Sequence, residues 1–235
     1  MSKVLVLAEA REGALRNVSF EAIAAGKKLG DEVIGLLVGD KVADLASELI
    51  AYGADRVITV EHPNLAHYTS DGYSQAVLAV VEQESPSAIV FGHTAVGKDL
   101  SPKVASRLQI GLVSDVTAIE GEGADAVFVR PIYSGKAFEK VKIAEGTVFV
   151  SIRPNNIDPL AKEAGRSGDV SSVSVDVQNL RSIIKEVVRK STDGVDSSEA
   201  KVVVAGGRGV KSEEGFEPLK ELANLLGGAV GASRG

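Results

Sequence analysis

A short apolar run followed by a stretch of helical spacing recurs four times in the first 108 residues, and this rhythm restricts the fold more than any other feature. Lys3–Ala8 (KVLVLA) is continuously apolar, as a strand buried on both faces must be. Val18, Ala22, Ala25 and Leu29 then share one helical face, and Gly30 is placed to end that helix. The same signals return as strand Val33–Val38 with helix Lys41–Tyr52, strand Arg56–Val60 with helix Ser70–Gln83, and strand Ala88–Phe91 with helix Asp99–Leu108. Successive strand–helix units predict an α/β domain, a parallel sheet with helices on both faces and right-handed crossovers.

From Val113 the rhythm breaks. Val113–Ile119, Ala126–Pro131, Lys136–Ala144, Thr147–Ile152 and Ser171–Val177 read as strands with no helix between them. Antiparallel edge strands or a small β layer are expected there. Arg181–Lys190 fits either a helical face or a strand, and its β-branched residues favour strand. The N-terminal α/β domain is therefore expected over 1–190, a polar turn-forming linker over 191–199 (STDGVDSSE), and a new unit over 200–235.

That last unit opens on KVVVAGGRGVKS, Lys201–Ser212, an apolar run that stops at glycines broken only by Arg208. Such a strand–turn–helix start lets a ligand approach the backbone closely and favours an anion at the helix N-terminus. Gly207 and Gly209 flank Arg208, whose planar, permanently charged head suits a phosphate. Ser212 is the expected N-cap, and Phe216, Leu219, Leu222, Ala223 and Leu226 form the apolar stripe of the helix. A second strand begins at Ala229.

Composition removes several chemistries. The chain has no Cys, so disulfides, Cys-ligated zinc, iron–sulfur clusters and cysteine catalysis are excluded. A net charge of −6 without a basic block argues against a nucleic-acid surface. No apolar stretch reaches the roughly 20 residues that span a bilayer, and MSKVLVLAEAREG lacks the apolar length and cleavage site of a signal peptide. A cytoplasmic protein without membrane insertion is expected.

Gly92–Asp99 (GHTAVGKD) matches G-x-x-x-x-G-K after a strand, the pattern of a phosphate loop. Asp99 occupies the place of the Mg²⁺-binding Ser or Thr, so a helix-capping turn is the stronger reading. An ATP-using enzyme built on this loop is the alternative, with Lys98→Ala and Mg-ATP titration as its test. His62 and His67 read as surface loop residues, and Asp115, Glu120 and Glu122 as edge and turn charges with no acid/base pair. Arg130–Lys136 (RPIYSGK) is either a solvated hairpin or a binding or docking edge.

Taken in order, FGHTAVGKDLSPKVASRL, RPIYSGKAFEKV, SIRPN and KVVVAGGRGVKSEEGFEPLKELANLLGGAVGASR resemble the alpha subunits of electron transfer flavoproteins along the whole chain. The resemblance implies a nucleotide-hydrolase-like (Rossmann-like) N-terminal domain, followed by the first β-α-β piece of an FAD-binding domain. It implies FAD contacts at Gly207, Arg208 and Gly209, with Ser233 on the phosphate side and Arg234 near the isoalloxazine ring, where a guanidinium raises the flavin potential. It also implies a heterodimer with a beta subunit. Electrons would come from flavin dehydrogenases, such as the acyl-CoA dehydrogenases of fatty acid oxidation, and leave to a quinone reductase. No catalytic residue is implied, and the competing non-enzyme reading is a cofactor-free binding scaffold. The family pattern runs on past GASRG, so a chain truncated inside its FAD domain is expected, colourless alone and yellow when extended.

Overall fold

The computed structural model describes residues 2–188, 197 and 200–232. Among these, two compact units form, the first ending at Ile184 and the second beginning at Lys185.

In chain order the first unit contains β1 (Lys3–Ala8), a small hairpin of β2 (Ala10–Arg11) and β3 (Ala14–Leu15), α1 (Asn17–Leu29), β4 (Glu32–Gly39), α2 (Ala46–Ala51) and β5 (Arg56–Glu61). It continues with α3 (Ser70–Glu84), β6 (Ala88–Gly92), α4 (Ala95–Leu108), β7 (Val113–Val116) and β8 (Ala118–Glu120). β9 (Val127–Ile132), β10 (Ala137–Val141), β11 (Val148–Ile152) and β12 (Asp169–Ser172) complete it.

Seven strands pair in the order β12-β5-β4-β1-β6-β11-β7, and every neighbouring pair is parallel. The period-two alternation of a strand decides which face each residue covers. Val4, Val6 and Ala8 of β1 pack with α1 and α2 on one face, whereas Leu5 and Leu7 pack with α3 and α4 on the other. Residues on both faces are almost fully buried, which accounts for the unbroken apolar runs.

The antiparallel strands form a sheet of their own, β10-β9-β8, which starts beside β7, where the Thr117 N–H donates to the Val129 carbonyl. Thr147–Ile152 joins the main sheet as the parallel strand β11. Ser171–Val177 contributes only its first residues to β12. Arg181–Val188 forms no strand, and its β-branched side chains Ile183 and Val188 stand about four-fifths exposed; residues 189 and 190 of that reading lie outside the described residues.

Two helices differ from the sequence reading at their starts. The second begins as a 3₁₀ turn at Ala43–Leu45 before α2, because the Glu61 carboxylate accepts the Val42 and Ala43 N–H groups and caps the turn from a neighbouring strand. The fourth starts at Ala95 rather than Asp99. Thr94 caps it by accepting the Gly97 N–H at 3.1 Å, so the loop after β6 is only two residues long.

The second unit contains β13 (Val203–Gly206), a 3₁₀ turn at Arg208–Val210, α5 (Glu217–Leu225) and β14 (Ala229–Ala232). β13 and β14 pair in parallel, from Val203 opposite Ala229 to Gly206 opposite Ala232. The linker read over 191–199 lies, except for Ser197, outside the described residues.

Candidate functional site

The glycine turn of the second unit divides its glycines by task. A side chain on Gly206 would meet the Phe216 ring at 2.6 Å and Leu219 at 2.9 Å, so that glycine lets α5 lie on β13. Gly207 and Gly209 have nothing within 4 Å on the side where a Cβ would stand, leaving their backbone open to a ligand. Between them Arg208 is exposed and makes no hydrogen bond or ion pair among the described residues. The Val210 N–H closes the turn on the Gly207 carbonyl at 3.0 Å. An open backbone beside a free guanidinium fits a phosphate-bearing cofactor.

The helix start contributes less than the sequence suggests. Ser212 Oγ accepts the Gly215 N–H at 3.3 Å and leads into a further 3₁₀ turn, Glu214–Phe216, before α5. Pro218 in the first turn has no N–H to offer, and Glu217 complements the dipole there. The groups left open to an anion here are the backbone of the turn and Arg208. Ser233 and Arg234 lie outside the described residues.

In the first unit the crevice expected to hold a ligand is filled. The strand order reverses between β1 and β6, and open α/β sheets bind ligands beyond the carboxyl ends of the strands at such a point. Here Glu9, 7% exposed, occupies it. Its carboxylate accepts Thr94 Oγ1 at 2.7 Å and Arg16 Nη1 at 3.1 Å. A Cβ on Gly92 would meet Val18 at 2.8 Å and Glu9 Oε1 at 3.1 Å, and one on Gly97 would strike the Gly92 carbonyl oxygen. Asp99 points to another partner, accepting the Tyr68 hydroxyl. A buried carboxylate over a tightly closed, side-chain-capped turn is unsuited to phosphate, and the match to a phosphate loop is one of letters only.

A second cluster escaped the sequence reading, which took Asp115 for an edge charge. β7 bulges against β11 between Val113 and Val116, and Asp115 takes a left-handed backbone, φ +65°. The bulge turns its carboxylate to Arg153, whose Nε and Nη2 bind it at 2.9 and 2.8 Å. Arg153 holds the Asp115 carboxyl below its usual range. His93 Nε2 lies 3.7 Å from the same carboxylate, and its Nδ1 pairs with Ser151 Oγ at 2.9 Å. Burial lowers the His93 pKa despite Asp115, favouring a neutral ring. Ser–His–Asp proximity suggests a nucleophile, but Ser151 is 0% exposed and its Oγ also receives the Asp115 N–H, so no substrate reaches it. Arg153 is 38 residues from Asp115 in the chain, and no local motif announces the pair.

Among the described residues no group of His, Asp and Glu could hold a metal, and no helix is long and apolar enough to cross a membrane. Residues 4–178 match the family described as "Electron transfer flavoprotein domain", and residues 196–235 match "Electron transfer flavoprotein FAD-binding domain". The chain belongs to the family of electron transfer flavoprotein alpha subunits. It is an electron-transfer protein and not an enzyme. It is 60% identical over 235 residues to the electron transfer flavoprotein subunit alpha of Bacillus subtilis (strain 168), covering 99% of this chain and 72% of that one. It is 37% identical to the subunit of the same name from Syntrophomonas wolfei, covering 100% and 74%. With that of Clostridium acetobutylicum it shares 36% identity, covering 98% and 72%.

Proposed function

We propose that this chain is the alpha subunit of a heterodimeric carrier that holds FAD through its second unit. In this reading it takes electrons from flavin dehydrogenases, such as the acyl-CoA dehydrogenases of fatty acid oxidation. It passes them to a quinone reductase, and it does so in the cytoplasm beside a beta subunit. Residues 1–190 would form the α/β platform, 191–199 the connection and 200–235 the start of the flavin domain.

The observation that carries the proposal is Arg208, exposed and unpartnered among the described residues between two glycines whose backbone is open. FAD supplies the redox chemistry when bound. Gly207 and Gly209 admit its pyrophosphate to the main chain, and Arg208 offers two parallel N–H donors to it. By the resemblance Ser233 would add a hydroxyl on the phosphate side and Arg234 a cation near the ring, a charge that would tune the flavin potential.

The test is flavin binding by the protein extended to the length of its relatives and co-expressed with a beta subunit. The purified complex is expected to show visible flavin absorbance. Arg208→Ala should weaken FAD binding roughly tenfold to a hundredfold, the worth of a charge-assisted hydrogen bond. A complex that stays colourless after FAD is added overturns the proposal, as does an Arg208→Ala complex that binds FAD as tightly as the parent.

A further inference from the structure

The crevice at the strand reversal is filled, but the carboxyl edge of the sheet opens farther along. A cleft of about 590 Å³ lies where β7 and β11 end, walled by the end of β9 and the turn after it. Asp115, Arg130 and Arg153 line it together with Tyr133, Ser134 and Gly135. We infer that this cleft binds an oxyanion, the phosphate or carboxylate group of a small molecule.

The electrostatics point that way. Both oxygens of Asp115 are engaged by Arg153, so its charge is spent inside the cluster. Arg130 is different. Its side chain is 30% exposed, and its one ion pair among the described residues is a loose contact of Nη1 with Glu139 at 3.9 Å, beyond hydrogen-bond reach. It makes no hydrogen bond among the described residues, and its Nε is shut off from solvent as well. A half-buried guanidinium with unused donors is costly to leave unsatisfied, and an oxyanion is the partner that its planar fork fits.

Of the charged groups that line the cleft, Arg130 and Arg153 stand against Asp115, which leaves positive charge in excess. The size falls within the roughly 300–1,000 Å³ of small-molecule sites, and the place is the strand ends where α/β sheets take ligands. At the turn Tyr133, 78% exposed, adds an aromatic side chain to the lining. The turn itself is held open by left-handed backbone at Tyr133, Ser134 and Gly135.

Arginine Nε–H signals in ¹⁵N NMR test the inference on the 235-residue chain, with inorganic phosphate and succinate titrated separately against chloride at equal ionic strength. The Arg130 and Arg153 signals are expected to move together and saturate, with a midpoint on the order of 1 mM, while those of Arg107 and Arg181 stay put. The tighter arm says whether the group is phosphate or carboxylate. Arg130→Gln should raise the midpoint tenfold or more, and Lys142→Gln should leave it unchanged. Shifts that never saturate, that appear equally in all arginines, or that survive Arg130→Gln overturn the inference. If Arg130→Gln does not fold, the parent titration decides alone. The site is independent of the flavin reading, and its failure would leave that reading untouched.

Discussion

Glu84 shows how single residues acquire their charge state in this fold. It closes α3, where a carboxylate faces the negative end of the helix dipole, yet its side chain is only 9% exposed. Arg56 and Lys3 resolve the conflict, Arg56 Nη2 at 2.5 Å and Lys3 Nζ at 3.0 Å from Oε2. Arg56 also binds Glu32 at 2.7 Å, tying β4, β5 and α3 together. The Arg56 hydrogen bond comes first in pulling the Glu84 carboxyl from its ordinary 4.5 down to about 2. Because the folded carboxyl is the stronger acid, its contribution is complete above pH 4.5 and disappears as the pH falls toward 2. Glu84→Gln should therefore cost about 1–2 kcal/mol at neutral pH. Its thermal midpoint should also fall less steeply than the parent's between those two pH values. Scanning calorimetry across that range reads both, and a parallel decline in the two proteins would refute the assignment. Glu84 and its partners Arg56 and Lys3 lie 28 and 81 residues apart, so no sequence window contains this network.

At the scale of elements, α4 is the informative case. Its first turn is decided by Thr94, which donates to Glu9 and accepts from Gly97 at the same time. Thr94→Ala removes the cap, about 1 kcal/mol, and strips a partner from a buried carboxylate, about 1–3 kcal/mol more. A loss of about 2–4 kcal/mol in urea unfolding is expected, and Thr94→Ser should recover most of it. Gly97→Ala places a methyl against the Gly92 carbonyl oxygen. Backbone cannot yield as a side-chain tip can, so about 3 kcal/mol or more should be lost, against well under 1 kcal/mol for Ala95→Gly at the exposed helix start. The helix itself was legible in its apolar spacing, but its true start was not. The same residues also fit a phosphate loop, and only the buried Glu9, brought in from the end of β1, separates the two readings.

Across the whole molecule the two units differ in how completely they enclose their apolar side chains. The first buries two continuous clusters, one on each face of the seven-stranded sheet. The second pairs two short strands under one helix and leaves Val203, Leu222, Leu225 and Leu226 between 44% and 85% exposed. Two strands and a helix supply too little burial to hold a fold by themselves. Residues 1–184 expressed alone should melt cooperatively, with the circular dichroism of a mixed α/β fold, while residues 185–235 alone should show no cooperative transition. A sharp melt of the short piece would contradict this account. The sequence alone determined the strand–helix rhythm, the parallel sheet, the glycine turn around Arg208 and the family, because apolar spacing and turn residues are local properties of the chain. Tertiary structure alone decided where the first unit is closed and where it is open. Glu9 fills the crevice at the strand reversal, and a bulge turns Asp115 to Arg153 beside Arg130, which makes no hydrogen bond among the described residues. Charges meet there only because parallel strands distant in the chain end side by side.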